Sequence, residues 1–197
     1  MLYNIIRAII IPFVYLLFWP KVYGKKNIPA KGCVIIYSNH TSMLDPVILG
    51  CLLPRRIHFM AKQELFKLPI IAYILNKIGV FPVKRGSADI SAIKKSLLIL
   101  KQGKVLGIFP EGTRNKSGEI QEFAHGTASI ANRSKATTIP VALFNSYRIF
   151  KPIKVVIREP LNFEHYYEQR MNAELLEKMS AEMSKALLDL VPKKSNK

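Results

Sequence analysis

The chain has 197 residues, 49% of them hydrophobic, and thirty Lys plus Arg against thirteen Asp plus Glu leave a formal charge of +17. That length fits one domain at the roughly 100–200 residues usual per domain, and the lack of glycine-, serine- or glutamine-rich tracts excludes a disordered or fibrous chain. The basic residues come in ones and twos (Lys25/Lys26, Arg55/Arg56, Lys84/Arg85, Lys94/Lys95) without a nucleic-acid-binding pattern, so the expected polyanion is lipid or an acidic carrier protein, with no nucleic acid.

Residues 1–20 carry one charge, Arg7, and are apolar nearly all round from Ala8 to Pro20. That run is shorter than the roughly 20 apolar residues a bilayer core demands, and Pro12 would kink a helix. The expectation is an interfacial anchoring segment over 1–21, with a core helix as the alternative. Tyr15, Phe18 and Trp19 suit the headgroup level, and Lys21, Lys25 and Lys26 follow where anionic lipid would lie. No small-residue cleavage site follows, which argues against a signal peptide.

From Gly32 short apolar runs alternate with helical patterns. Predicted strands are 33–39, Ile57–Met60, Val80–Val83, Val105–Phe109, Thr138–Leu143 and Lys154–Ile157. Between Val83 and Val105 the spacing predicts a helix, with Ser87 as its N-cap, Ile90, Ile93, Leu97 and Leu100 on one face, and Gly103 just past its end. A final helix is expected from Ala173 to Val191, capped by Asn172, with Leu176, Met179, Met183, Leu187 and Leu190 inward and Pro192 as a stop. The alternation predicts an α/β fold: a mixed, largely parallel sheet flanked by helices over residues 22–191, followed by a basic tail, 192–197. Cys33 and Cys51 lie in apolar stretches and read as free buried thiols, so neither a disulfide nor a metal site is expected.

The segment NHTSMLDP (39–46) follows the first predicted strand and sets Asp45 five residues after His40. On a continuous helix five residues amount to roughly 140° of rotation, so the two side chains would diverge. A turn at His40 followed by a helix beginning near Asp45 would instead let the carboxylate fold back onto one imidazole nitrogen. The other nitrogen then serves as a general base toward an alcohol. A structural contact is the competing explanation of the pair. Similarly, GIFPEGTRNKSGE (107–119) follows a strand with a polar loop in which Gly112 permits close backbone approach and Arg114 offers a planar fork for phosphate. GVFPVKR (79–85) ends a strand with Lys84 and Arg85; alone it is a solvated basic pair.

Together these segments resemble the 1-acylglycerol-3-phosphate acyltransferase family of phospholipid synthesis. NHTSMLD is similar to the family's NHxSxxD block, GVFPVKR to a second block ending in arginine, FPEGTR to the third, and IPV (139–141) to the short fourth, over about residues 22–160. The resemblance implies that His40 deprotonates an acceptor hydroxyl, that Asp45 orients the imidazole, and that the alkoxide attacks an acyl thioester without an acyl-enzyme. It also implies that Arg85, Arg114 and Lys62 hold the acceptor phosphate, with Glu111, Gly112 and Thr113 at the glycerol part. The implied partners are a lysophosphatidic-acid-like acceptor, an acyl-CoA or acyl-carrier-protein donor, and an anionic membrane surface at the cytoplasmic face. No cofactor or metal is expected.

The text departs from the family at FAHGTA: relatives often have phenylalanine then lysine there, whereas here Ala124 and His125 follow the phenylalanine and the basic residue is missing or displaced; His125 is expected to open a helix. Apolar candidates to shelter an acyl chain are Leu52, Leu53, Phe66, Leu68, Ile70, Ile71 and Tyr73. Acylation of another lysophospholipid, hydrolysis by the same His/Asp pair, and nonenzymatic lipid binding are the competing functions.

Overall fold

The computed structural model describes residues 2–84, 89–114, 123–144 and 147–190. In chain order its elements are α1 (Leu2–Phe18), β1 (Lys21–Tyr23), β2 (Val34–Ser38), α2 (Asp45–Leu52), β3 (Ile57–Lys62), α3 (Pro69–Ile78) and β4 (Phe81–Val83). They continue with α4 (Ile90–Lys101), β5 (Val105–Ile108), α5 (His125–Ser134), β6 (Thr137–Phe144), β7 (Lys154–Ile157), α6 (Glu164–Tyr167) and α7 (Ala173–Leu188). The strands form one seven-stranded sheet in the order β1-β7-β6-β2-β5-β3-β4. From β6 to β4 all neighbours run parallel; β7 is antiparallel to β6 and carries β1 parallel to itself. The mixed, largely parallel sheet expected from the alternation is therefore present, with β1 as a strand the sequence reading lacked.

Alternation along the central strands sorts side chains onto two faces. Val34 and Ile36 of β2 join Val105, Ile139 and Val141 in a core covered by α1 and α2. Ile35 and Tyr37 face the opposite way, with Leu106 and Ile108, into a core covered by α4, α5 and α7. Burial on both faces is what makes the β2 text continuously apolar.

Two helices and one cysteine differ from expectation. The α4 helix buries Ala92, Ser96, Ile99 and Leu100 and leaves Ile90 exposed, because small residues let it approach the sheet. Its cap is Asp89, whose side chain accepts from the backbone N–H of Ala92 at 3.0 Å; the expected cap, Ser87, lies outside the described residues. The last helix is capped by Asn172 as expected but ends at Leu188. Finally, Cys51 is buried and Cys33 only half-buried, both free.

Helix α1 runs through Pro12 and has two apolar faces. Val14 and Phe18 are buried in the core, with Ile10, Ile11 and Leu17 packed against it. Ile5, Ile9, Phe13 and Leu16, at the spacing of one helical face, are exposed. Phe18 is thus a core residue, not a headgroup-level aromatic, whereas Tyr15 and Trp19 are exposed. Among the described residues no helix is long and apolar enough to cross a membrane.

The Asp89 cap titrates. Its carboxyl is held down at about 2, from an ordinary 3.8, first by the backbone N–H of Lys84, then by the Ser91 hydroxyl and the backbone N–H of Ala92. A depressed carboxyl contributes stability above its unfolded value and loses it as pH falls through the folded one. Asp89→Ala is therefore expected to cost about 1 kcal/mol near neutral pH, the usual value of an N-cap. In urea denaturation the gap to the wild type should narrow below pH 3.8 and close toward pH 2.

Candidate active site

The carboxyl ends of the parallel strands, where ligands of open α/β sheets gather, hold those of the residues singled out by sequence that the structure describes. Strand β2 ends at Ser38, and the chain turns through residues 39–44 into α2, whose first residue is Asp45. Pro46 suits that helix start, where a backbone N–H is not needed. Within the turn the Ser42 hydroxyl accepts from the backbone N–H of Leu44 at 3.2 Å. The Asp45 side chain consequently folds back over the turn it follows.

Asp45 is fully buried, and a buried carboxylate is tolerable only if its oxygens are hydrogen-bonded. Its Oδ2 lies 2.8 Å from His40 Nδ1 and accepts from the backbone N–H of Thr41 at 2.7 Å and of Ser42 at 2.8 Å. The Tyr147 hydroxyl donates to Oδ1. The position at the start of α2 adds the favourable end of the helix dipole. This arrangement selects the imidazole tautomer with its proton on Nδ1; among the described residues Nε2 takes no hydrogen bond, and His40 lines the cavity in front of it.

The imidazole is fixed on its face as well as its edge. Its ring stacks on Phe109, with centroids 4.1 Å apart and planes 19° from parallel, and Phe109 in turn stacks on Phe59 at 5.7 Å. Gly107 makes room for that column: a Cβ there would fall 2.2 Å from Phe59 Cε1 and 2.7 Å from Ile57 Cγ2. Glu111 Oε1 accepts from the backbone N–H of His40 at 3.1 Å, tying the turn after β5 to the turn after β2. Asn39 clamps the neighbouring strand, accepting from the backbone N–H of Leu143 and donating to its carbonyl, each at 2.9 Å.

A cavity of about 1030 Å³ opens over His40, at the upper end of the roughly 300–1,000 Å³ usual for ligand pockets. Lys62, Glu111, Gly112, Thr113 and Arg114 all line it, so the structure assembles these expected site residues around one space. Lys62 is half-exposed and also lies 3.4 Å from Glu64 Oε1. Gly112 adopts a left-handed backbone, φ 67°, which glycine takes without strain. Arg85 lies outside the described residues; Lys84 beside it lines the cavity, although sequence alone read it as a solvated charge. Ala124 lines the cavity, whereas His125 opens α5 and does not.

The apolar part of the cavity corrects one expectation. It is walled by Ile6 and Ile10 of α1, Val47 of α2, and Leu75 and Ile78 of α3. Leu52 and Leu53 belong to the core, and Leu68, Ile70, Ile71 and Tyr73 are exposed on the outside of α3; none of these, nor Phe66, lines the space. Periodicity marks an apolar helical face without saying which side of the helix meets the pocket. Sequence reasoning also missed Asn39 and Phe109, although both sit inside the quoted blocks, and Tyr147, for which no local signal exists. No cluster able to hold a metal ion occurs among the described residues.

Comparison with known proteins comes down on one group. The model of the family described as Acyltransferase matches residues 20–144. The chain is 39% identical over 148 residues to a 1-acyl-sn-glycerol-3-phosphate acyltransferase of Bacillus subtilis (strain 168), covering 72% of this chain and 73% of that one. It is 34% identical over 131 residues to the protein of that name from Borreliella burgdorferi, covering 66% of this chain and about half, 52%, of the relative. The crystal structure of the 1-acyl-sn-glycerophosphate acyltransferase from Thermotoga maritima superposes with a TM-score of 0.72 at 23% identity, covering 98% of this chain and 83% of that one. At that identity the likeness establishes a common fold.

Gly107→Ala should test the aromatic column. The added methyl must displace Phe59, and overpacking of this kind costs about 1–3 kcal/mol. Chemical denaturation should show that loss, and the ring-proton NMR resonances of His40 should move. An unchanged midpoint with unchanged resonances would mean the column has room to spare.

Proposed function

The chain belongs to the Acyltransferase family, and on that footing we propose that it moves a fatty acyl group from an acyl thioester to the sn-2 hydroxyl of 1-acylglycerol-3-phosphate, giving phosphatidic acid. The observation that carries this reading is the His40–Asp45 pair, with His40 lining a largely apolar cavity that Lys62, Lys84 and Arg114 also line.

In this reading His40 Nε2 takes the acceptor's hydroxyl proton as the oxygen attacks the thioester carbonyl. The C–O bond forms, the tetrahedral carbon then breaks its C–S bond, and the imidazolium returns the proton to the departing thiolate. Asp45 holds the Nδ1–H throughout and balances the positive charge while the proton is on the ring. Nucleophile and leaving group both belong to the substrates, so no serine or cysteine of the chain is needed. Arg114 and Lys62, with Arg85 by its place in the second block, hold the acceptor phosphate; a dianion among these cations makes charge-assisted hydrogen bonds. Glu111, Gly112 and Thr113 shape the glycerol end. The thioester is carried by coenzyme A or by an acyl carrier protein, both of which suit a chain of charge +17.

The exposed apolar faces of α1 and α3 support association with a membrane interface. A helix apolar all round is normally buried on every side. Here Ile5, Ile9, Phe13 and Leu16 of α1 and Leu68, Ile70 and Tyr73 by α3 stay exposed, while other residues of the same helices, Ile6 and Ile10 of α1 and Leu75 and Ile78 of α3, wall the cavity. Lys67 and Lys77 flank the α3 patch, and the two helices touch. A bilayer surface supplies the missing apolar cover, placing a lipid acceptor beside the pocket.

Purified protein given thioester donors on both carriers and a panel of lysophospholipids, scored by lipid mass spectrometry, should yield phosphatidic acid. His40→Ala should lower turnover by roughly a hundredfold to ten-thousandfold, the usual worth of a general base. Free fatty acid without acylated lipid would establish a hydrolase instead, and vesicle binding without thioester consumption a nonenzymatic lipid-binding protein. Arg114→Ala should raise the acceptor KM more than it lowers kcat. Phe13→Glu should weaken partitioning onto anionic vesicles roughly tenfold or more, since each buried apolar side chain contributes about 1.5–3 kcal/mol; unchanged partitioning would remove α1 from the membrane contact.

A further inference from the structure

Tyr147 reaches the catalytic pair from a distant part of the chain. It lies in the connection between β6 and β7, 102 positions after Asp45, and its hydroxyl donates to Asp45 Oδ1 while Oδ2 faces His40 Nδ1. We propose that Tyr147 is a positioning residue for the acyl transfer, acting through Asp45, and that its packing against α1 couples the seating of that helix to the geometry of His40. This rests on the reading of His40 as the base.

The geometry separates the residue from the substrate. Tyr147 does not line the cavity over His40, so whatever it does for the reaction passes through the carboxylate. A carboxylate gripped on both oxygens resists rotation about its Cβ–Cγ bond, which is the motion that would swing Oδ2 away from Nδ1. Burial and the neighbouring Asp45 charge push the Tyr147 phenol above its ordinary range, so it remains a donor across the working pH range. Its backbone is left-handed, φ 43°, a conformation that a bulky residue keeps only where its surroundings impose it.

Those surroundings are the end of α1. The Tyr147 ring meets Phe18 edge-to-face, with centroids 6.1 Å apart and planes at 88°. Two backbone bonds strap the same segment to the helix: Phe150 N–H donates to the Leu17 carbonyl at 2.8 Å, and Ile153 N–H to the Phe18 carbonyl at 2.9 Å. Ile5, Ile9, Phe13 and Leu16 lie on the outward face of that helix. A continuous set of contacts therefore runs from the face assigned to the bilayer, through Phe18 and Tyr147, to Asp45 and His40.

Tyr147→Phe removes the hydroxyl and keeps the ring against Phe18. The expected result is a roughly ten- to hundredfold fall in kcat, the span for losing a hydrogen bond to a charged group, with KM for both substrates within about twofold. The melting temperature should stay near that of the wild type, and the proton resonance of His40 Nδ1–H should shift. A kcat within twofold of the wild type, a loss confined to KM, or a loss that merely tracks melting temperature would overturn the positioning role. Phe18→Leu, which leaves the hydroxyl in place, should show a smaller fall in kcat at constant KM, and full activity there would overturn the coupling to α1. His40→Ala measured alongside keeps the two ideas apart. An active His40→Ala defeats the acyl-transfer reading itself, whereas an inactive one beside a fully active Tyr147→Phe defeats only the inference about Tyr147.

Discussion

A carboxylate with no exposure to water organises this protein. Asp45 is completely buried, and the cost of removing an ionised carboxyl from water is met only because the groups that surround it are hydrogen-bond donors. Among the described residues those donors include the His40 ring, the backbone of Thr41 and Ser42, and the Tyr147 hydroxyl. Each comes from a different structural decision: where β2 stops, how tightly the chain turns, and how the β6–β7 connection returns across the top of the sheet. All three contribute to holding Asp45, so the geometry of the proposed base and the arrangement of the sheet's carboxyl edge are linked.

The parallel sheet explains why so many polar groups converge there. Parallel neighbours point their carboxyl ends the same way, so the turns leaving β2, β3, β4 and β5 all rise at one edge. His40, Lys62, Lys84 and Glu111 are then brought together although the chain separates them by tens of residues. The backbone of His40 bonded to Glu111, and Asn39 bonded to the backbone of Leu143, tie adjacent turns directly. The stacked rings of Phe59, Phe109 and His40 support the turn from within, and Gly107 leaves the space they occupy.

Helix α1 resolves a question that composition poses and cannot answer. Its sequence is apolar on every side, which suits either a core helix or a membrane anchor, and the structure has it serving the core with one face while exposing the other. Arg7, the one charge in that stretch, donates to the carbonyls of Cys51, in the last turn of α2, and Leu53, just past its end, where a cation meets the negative end of the helix dipole. That charge thus fastens α1 to the domain. The cavity runs between the same helices, so the apolar wall for an acyl chain and the apolar exterior belong to shared elements.

The alternation of strands and helices, the fold class and the two polar segments that hold the site were all legible in the sequence, because period-two and helical patterns are local and the His40–Asp45 spacing forces a turn. The segments also carried the family resemblance, since NHTSMLD and FPEGTR are short, contiguous and ordered. What sequence misjudged was direction. Ile70 and Tyr73 form an apolar face that turned out to lie outside, and Ile90 an expected inward position that is exposed, because the face a helix buries is chosen by its neighbours. Tyr147 was invisible for a stronger reason. Nothing near it in the chain marks it, and its bond to Asp45 exists only because β6 runs beside β2 and the end of α1 holds the segment after it. By itself the sequence determined the fold class and the short segments that carry the candidate polar groups; only the tertiary structure decided what buries, orients and connects them, since those contacts span distances along the chain that no local pattern encodes.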